Sequence, residues 1–147
     1  MKHTMGLLAV IATGLLLALP PARAEEKPFT EGSVWAITLV RVKAGMLDTY
    51  LHELVPLRKR LNDEAKKAGL LVSSHILSGG AANRDDFDVM FLDEFKNWAA
   101  FDGLSAKYEA LEDKLIGSED KRTQLMVKRT EVREITGNKL MQELMPK

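Results

Sequence analysis

The side chain in this sequence best suited to proton transfer or ligand binding is His75, which stands beside Ser73 and Ser74 in an apolar segment. A histidine titrates near neutral pH, so it can act as a general base or bind a ligand through a ring nitrogen. The segment from Leu70 to Leu77 has the composition of a strand. A histidine at such a position is more often a structural residue of the sheet, hydrogen-bonded or partly exposed, than a functional one. Both the structural and the functional interpretation stay open.

Two aromatic and two basic side chains complete the candidate ligand pocket that the sequence suggests. Tyr50 and Trp98 fall on predicted helices and offer aromatic surface, although aromatic residues at helical spacing more often belong to the core. Arg41 and Arg129 fall on predicted strands, where a guanidinium can hold an anionic ligand. Pairing with Glu131 or another carboxylate of the sheet is the alternative for these arginines.

No motif in the sequence predicts a metal ion or an organic cofactor. Asp85, Asp86 and Asp88 crowd one predicted turn, but this turn lacks the glycine and the distant glutamate of a calcium-binding loop. His52 is followed by Glu53 without a second histidine four residues on, which excludes the helical zinc-protease motif. Nucleophile elbows, phosphate-binding loops and dinucleotide-binding glycine patterns are also missing. We therefore predict no metal and no cofactor, and we assign no catalytic residue.

The first 24 residues predict export. A charged start at Lys2, an apolar run from Met5 to Leu19 and the small-residue sequence Ala22-Arg23-Ala24 are together typical of a secretory signal peptide. The apolar run is about 15 residues long, which is shorter than the roughly 20 residues that a transmembrane helix needs. We expect cleavage after Ala24, a periplasmic or secreted protein, and no stable membrane anchor in the mature chain.

Composition excludes several classes of protein. The chain has 21 basic and 21 acidic residues, and loss of Lys2 and Arg23 with the leader makes the mature chain slightly acidic. Proteins that bind nucleic acid usually concentrate basic residues on one surface, so we expect no nucleic-acid partner. The sequence contains no cysteine, which excludes disulfides, thiol nucleophiles, thiolate metal sites and covalent haem attachment.

Hydrophobic periodicity predicts six elements in the order strand, helix, strand, strand, helix, strand. The predicted strands cover residues 33–42, 70–77, 87–92 and 126–136, and the predicted helices cover residues 46–68 and 93–115. This is the order of a ferredoxin-like βαββαβ domain of the α+β class, with a four-stranded antiparallel sheet and two helices on one face. We expect a flexible leader over residues 25–32, the domain over 33–136, and a tail over 137–147 with a short helix at 138–144.

Two of the predicted strands carry apolar side chains on both faces. In the third strand, Val89 and Phe91 lie on one face while Met90 and Leu92 lie on the other. Two helices cover only one side of a sheet, and an apolar face of several hundred Å² is rarely left in water. We therefore expect a homodimer in which a second copy of the sheet covers the uncovered face.

The two predicted junctions between a strand and the following helix resemble those of the dimeric α/β-barrel superfamily. The first junction runs from Ile37 to Leu47, and the second runs from Val89 to Trp98. The superfamily includes domains similar to antibiotic-biosynthesis monooxygenases and to stress-response proteins, and the resemblance covers residues 33–136. It implies a ferredoxin-like subunit and a barrel formed by two sheets. In the cofactor-free oxygenases it also implies a substrate pocket between sheet and helices.

The resemblance carries over no catalytic or cofactor-binding residue. Some members of the superfamily bind haem through a histidine on a helix, but the one mature helical histidine here, His52, is expected on the solvated side of its helix. The sequence also contains no recognisable set of asparagine, tryptophan and histidine like that of the oxygenases. We therefore do not expect haem.

Two functions follow from these features. The first is a non-catalytic module of the cell envelope or a binder of a small apolar molecule, because the sequence contains no recognisable catalytic set. The alternative is a cofactor-independent monooxygenase-like enzyme that acts on a small apolar or aromatic substrate, as the resemblance implies. An enclosed cavity between sheet and helices that contains His75 would favour the enzyme.

Overall fold

The computed structural model describes residues 26–147, so the predicted signal peptide and its cleavage site lie outside the described residues. Within this range the chain forms an α+β fold with a four-stranded antiparallel sheet and three α-helices. In chain order the elements are β1 (Phe29–Val42), α1 (Leu47–Lys67), β2 (Ser73–Ser78), β3 (Val89–Phe95), α2 (Leu104–Leu115), α3 (Glu119–Thr130) and β4 (Arg133–Pro146), with a 3-10 helix at Trp98–Phe101. No helix in this part of the chain is long and apolar enough to cross a membrane.

The strands lie in the order β2-β3-β1-β4, so β1 and β3 occupy the interior of the sheet. β1 pairs with β3 over residues 34–40 and with β4 along nearly its whole length. The predicted α+β class and the four-stranded antiparallel sheet are confirmed. The arrangement is compatible with a ferredoxin-like fold, but the additional helix α3 departs from the predicted βαββαβ order.

One face of the sheet carries the core because alternate side chains of each strand point to the same side. Val40 and Val89 are fully buried on this face, and α1 packs on them through Tyr50 and Leu54. A second cluster surrounds Phe95 and is covered by α2. α1 and α2 therefore lie on the same face of the sheet as these strand residues.

The opposite face of the sheet, which we call the open face, carries no helix from the described residues. Its apolar side chains and His75 are in register across the four strands: Trp35, Ile37, Leu39, His75, Leu77, Met90, Leu92 and Met141. The same register places Glu94 beside Trp35 and Lys139 beside Ile37. Leu77 and Met141 are 53% and 44% exposed. The register thus places apolar side chains of both β1 and β3 on a face without helices, as the sequence predicts.

The C-terminal part of the chain differs from the sequence prediction. The predicted strand over residues 126–136 is wrong for much of its length, because α3 continues to Thr130 and β4 begins only at Arg133. α3 has acidic residues in its first turn and basic residues in its last turn, which stabilise a helix through its dipole. The predicted helix over 138–144 is also wrong. These residues belong to β4, where pairing with β1 satisfies their backbone groups.

Two further boundaries differ from the prediction. The predicted helix over residues 93–115 begins later, because β3 continues to Phe95 and Gly103 interrupts the segment with a φ of 64°. A left-handed residue cannot continue an α-helix, and glycine adopts this conformation without steric strain. Asn97 caps the intervening 3-10 helix by accepting a hydrogen bond from the backbone of Ala100. β1 begins at Phe29, inside the predicted flexible leader, because this end of the strand pairs with the end of β4.

Candidate functional site

The predicted candidate Tyr50 lies in the first turn of α1 and points into the core. Its side chain belongs to the cluster of Val40, Val42 and Val89 and is 2% exposed. Its hydroxyl has no hydrogen-bond partner among the described residues. Burial raises the pKa of Tyr50, and the positive charges of nearby arginines, Arg133 above all, oppose this effect. A buried phenol without a partner is unusual, because most buried polar groups form at least one hydrogen bond.

Arg133, the first residue of β4, lies against the ring of Tyr50. Its guanidinium carbon is 5.9 Å from the centroid of that ring. β4 pairs Arg133 with Val42, and this register places the side chain on the helix-covered face of the sheet. Its Nε is buried and has no hydrogen-bond partner within residues 26–147. Two neighbouring side chains therefore each carry an unused buried donor.

Arg129 brings a second guanidinium to the same region, and we call Tyr50, Arg129 and Arg133 the arginine cluster. Arg129 lies in the last turn of α3 and not on a strand, which corrects the sequence prediction. Burial and the charge of Arg133 lower the pKa of Arg129, while Tyr50 and Glu112 act in the opposite direction. In the described part of the chain, no carboxylate lies within 4 Å of either arginine. The predicted pairing of Arg129 with Glu131 is therefore not formed.

Arg58 of α1 shows how this fold neutralises another half-buried guanidinium. Its Nη2 lies 2.7 Å from both carboxylate oxygens of Asp93 on β3, and its guanidinium carbon lies 4.3 Å from the centroid of the Phe91 ring. Ser74 donates a further hydrogen bond to Asp93 at 2.6 Å. Burial, together with the nearby charge of Asp93, raises the pKa of Tyr108 to about 12. This ion pair connects α1 to the sheet.

A cleft of about 710 Å³ opens at the edge of the sheet beside Arg133. The end of β1, the last turns of α3 and the start of β4 form its walls, through Arg41, Val42, Lys43, Met126, Thr130, Arg133, Glu134 and Ile135. Three of these side chains are basic and one is acidic. Met126 and Ile135 are 64% and 47% exposed. Because Arg133 also lies against Tyr50, the cleft and the arginine cluster share this side chain.

Arg41 lines the cleft and is already engaged in contacts. It donates a hydrogen bond to the backbone oxygen of Arg84 and lies 4.0 Å from the carboxylate of Glu134. Pairing with a carboxylate of the sheet, the alternative that the sequence offered, is therefore observed for Arg41. In the turn before β3, Asp88 accepts a hydrogen bond from the backbone of Val42 at 2.8 Å, so this aspartate holds the turn against β1.

His75 and Trp98 lie apart from the arginine cluster. His75 is exposed on the open face, where its ring centroid is 6.3 Å from that of Trp35. Glu94 lies on the same face and accepts hydrogen bonds from Ser33 and Ser73. These two hydroxyl groups, and to a smaller extent the charge of His75, lower the pKa of Glu94. His75 is thus on the opposite face of the sheet from the helices, and the oxygenase alternative stays a prediction.

The structure distributes the five predicted candidates over four places. They are Tyr50 and Arg129 in the arginine cluster, Arg41 in the cleft, His75 on the open face and Trp98, which is 50% exposed, on the 3-10 helix. Sequence reasoning missed Arg133, because its position on β4 becomes significant only when the turn after α3 brings it toward Tyr50. The sequence did contain one indication, because Arg129 and Arg133 lie four residues apart in the predicted strand over residues 126–136.

Comparison with known proteins identifies no family for this chain. No family model matches it, and no curated protein matches it significantly. Within residues 26–147, no group of three or more histidine or acidic side chains is placed to hold a metal ion. The resemblance to the dimeric α/β-barrel superfamily therefore stays a prediction.

Proposed function

We propose that the chain is an exported homodimer with ferredoxin-like subunits, a non-catalytic module of the cell envelope that binds a small organic molecule. The observation that carries the binding role is the cleft of about 710 Å³ at the edge of the sheet. Its volume lies within the range of clefts that bind small molecules in other proteins. A binding role needs shape and contact surface, and it does not need the catalytic set that the sequence lacks.

The walls of the cleft suit a molecule with an apolar body. Met126 of α3 and Ile135 of β4 line it, and both are substantially exposed. Covering such side chains is favourable by about 25 cal/mol for each Å² of apolar surface removed from water. The methionine side chain also has three rotatable bonds, so it adapts to ligands of different shape. Apolar contact therefore supplies the affinity that this proposal requires.

The open face supports the homodimer. It presents a continuous row of apolar side chains that includes Ile37, Leu39 and Leu92, and Leu77 at its edge is 53% exposed. A second copy of the chain is the partner that this surface fits, because a twofold axis brings two identical pleated faces together. Facing sheets pack about 10 Å apart, and both open faces would then form one core.

The ends of β1 and β4 also support a partner. They extend the sheet beyond β2 and β3, and Phe29 lies there opposite Pro146 and Glu31 opposite Leu144. Leu144 and Met145 are 52% and 45% exposed. A two-stranded ribbon that leaves apolar side chains in water is only marginally stable by itself. In a dimer of facing sheets, this ribbon would extend over the second subunit.

Light scattering of the purified protein tests the dimer, and we expect twice the subunit mass. Leu77→Glu places two glutamates against apolar surface at the interface and should weaken dimerisation by about ten-fold or more. Val127→Glu is the matched control, because Val127 is 55% exposed on α3, away from the open face. A monomeric wild type, or equal weakening by both substitutions, would reject the dimer.

The neutral fluorophore N-phenyl-1-naphthylamine tests the cleft, because its emission rises when it leaves water. We expect saturable binding of one molecule per subunit. Met126→Glu puts a charge in the apolar wall and should weaken binding about ten-fold. Val127→Glu, the next residue on α3 but outside the cleft lining, should bind like the wild type. Absence of saturable binding by the wild type would reject the binding role.

A further inference from the structure

We infer that the ligand of the cleft carries an anionic oxygen head group, a carboxylate or a phosphate, which Arg129 and Arg133 bind together with the hydroxyl of Tyr50. The inference rests on the proposed function, because it names the chemical class of the molecule that the cleft takes. The apolar body of this molecule would lie on Met126 and Ile135. Its head group would bind at Arg133, which lines the cleft, and reach inward to Tyr50 and Arg129, which lie outside the lining; Arg129 directly precedes the lining residue Thr130.

The arginine cluster carries positive charge without a counter-charge from the described residues. Arg129 and Arg133 are both half-buried, and no carboxylate from the described residues lies within 4 Å of either one. Charged groups that are partly removed from water are stabilised mainly by opposite charge and hydrogen bonds. Two guanidiniums in one such region also repel each other. An anion bound between them would relieve both effects.

Other half-buried arginines of the chain have the partner that the arginine cluster lacks. The side chains of Arg58 and Arg122 are both 20% exposed. Arg58 contacts both oxygens of Asp93, and Arg122 pairs with Asp113. In both of these cases a carboxylate from another element of the fold supplies the counter-charge. The arginine cluster lacks such a carboxylate among the described residues, and an anion from outside would supply the missing counter-charge.

The arginine cluster also contains buried hydrogen-bond donors that have no acceptor among the described residues. Tyr50 is 2% exposed and its hydroxyl has no partner among residues 26–147. The buried Nε of Arg133 has none either, a property that it shares with Arg41 and Arg58, so the tyrosine hydroxyl is the donor that distinguishes this cluster. The two side chains are in contact range, with 5.9 Å between the guanidinium carbon and the ring centroid. A buried donor without an acceptor is destabilising. One oxyanion can accept hydrogen bonds from both groups at once.

The position of Arg133 connects these donors to the cleft. Its side chain lines the cleft and its guanidinium lies against Tyr50. Arginine is well suited to the proposed head group, because its planar guanidinium can donate two parallel hydrogen bonds to a carboxylate or phosphate. Lys43 and Arg41 add positive charge to the walls, against a single carboxylate from Glu134. This balance of charge attracts an anion to the opening.

A competing explanation is that the π face of Tyr50 alone balances the charge of Arg133. In that case the tyrosine hydroxyl would have no role, and the cleft would not distinguish an anion from a neutral molecule of the same shape. Tyr50→Phe separates the two explanations, because it keeps the aromatic ring and removes only the hydroxyl.

Displacement of N-phenyl-1-naphthylamine by octanoate and by octanol tests the inference on the full protein. The two molecules share one apolar chain and differ in the charge of the head group. We expect octanoate to displace the fluorophore at a concentration about ten-fold lower than octanol. Added sodium chloride should reduce this preference, because salt screens the attraction between head group and guanidinium.

Substitutions in the arginine cluster should remove the preference and keep the binding of the neutral fluorophore. Arg133→Gln and Arg129→Gln should each bring octanoate close to octanol, and Tyr50→Phe should weaken octanoate several-fold. Arg60→Gln, an exposed arginine of α1, is the control and should leave the preference unchanged. Thermal unfolding of each variant verifies that it is folded, and Arg129→Gln provides the test if Arg133→Gln does not fold.

Each outcome separates the inference from the proposed function. Equal displacement by octanoate and octanol, with normal binding of the fluorophore, would overturn the anionic head group and leave the binding role intact. The anionic head group would also be overturned if Arg60→Gln removed the preference for octanoate as strongly as Arg133→Gln. The preference would then come from the overall charge of the protein. Loss of all fluorophore binding in the wild type would overturn the proposed function itself.

Discussion

Replacing Asp93 with asparagine should destabilise the protein through Arg58, the half-buried arginine that depends on it. The Nη2 of Arg58 lies 2.7 Å from both carboxylate oxygens, and Ser74 donates to the same carboxylate at 2.6 Å. Asp93→Asn keeps the shape of the side chain but removes its charge and replaces one acceptor by a donor. The guanidinium of Arg58 would then remain against Phe91 without its counter-charge.

The expected loss of stability follows from the burial of the pair. Removing one partner of a fully buried ion pair costs about 3–5 kcal/mol, and a hydrogen bond to a charged group contributes about 1.5–3 kcal/mol. The side chains of Arg58 and Asp93 are 20% and 24% exposed, so solvent screens part of the remaining charge. We therefore expect a loss of about 2 kcal/mol, or a decrease in Tm of roughly 6–10 °C for a domain of this size.

Urea unfolding at constant protein concentration, followed by tryptophan fluorescence, measures this loss. The transition midpoint should fall while the denaturant slope stays the same. Asp63→Asn is the matched control, because Asp63 pairs with Lys59 on the exposed side of α1 and should have no measurable effect. If Asp93→Asn were as stable as the wild type to within about 0.5 kcal/mol, the assigned role of the Arg58 ion pair would be refuted.

Two other substitutions test particular features of the fold. Because burial raises the pKa of Tyr108 to about 12, the folded state should keep a proton that the unfolded chain releases near pH 10. Stability should therefore decrease as the pH rises from about 10 to about 12. In a plot of the urea midpoint against pH, Tyr108→Phe should flatten this decrease. An unchanged plot would contradict the raised pKa of Tyr108. Gly103→Ala should lower the free energy of unfolding by about 1–2 kcal/mol, because the φ of Gly103 is 64°. Gly79 has no positive φ, so Gly79→Ala is the control and should cause no such loss. Equal urea midpoints for the two variants would argue against backbone strain at Gly103.

The first half of the fold could be predicted from the sequence because its signals are local. The predicted strand over residues 33–42 lies within β1, and the predicted helix over 46–68 agrees with α1 to within one residue at each end. Leu47, Leu51 and Leu54 recur at helical spacing, so any collapse that buries them favours a helix. β1 is rich in β-branched residues, which suit a strand with apolar surroundings.

The C-terminal part could not be predicted in the same way, because its conformation depends on a distant segment. β4 pairs with β1, and Leu144 lies opposite Glu31, more than a hundred positions earlier. No pattern within residues 133–146 records this pairing. Likewise, the apolar sequence Leu125-Met126-Val127 has the composition of a strand but lies in α3, where charges at both ends favour the helix.

The candidate site depends partly on local residue chemistry and partly on contacts between distant segments. Residue chemistry alone was sufficient to select Tyr50 and Arg129 as possible ligand-binding residues, since aromatic and guanidinium groups have this capacity in any context. Their proximity, the contribution of Arg133 and the separation of His75 onto the open face depend on how α1, α3 and β4 pack. Residue types and their spacing specify which groups can bind and which local elements form. Which of those groups meet is decided by burial and strand pairing, because both depend on contacts between residues far apart in the chain.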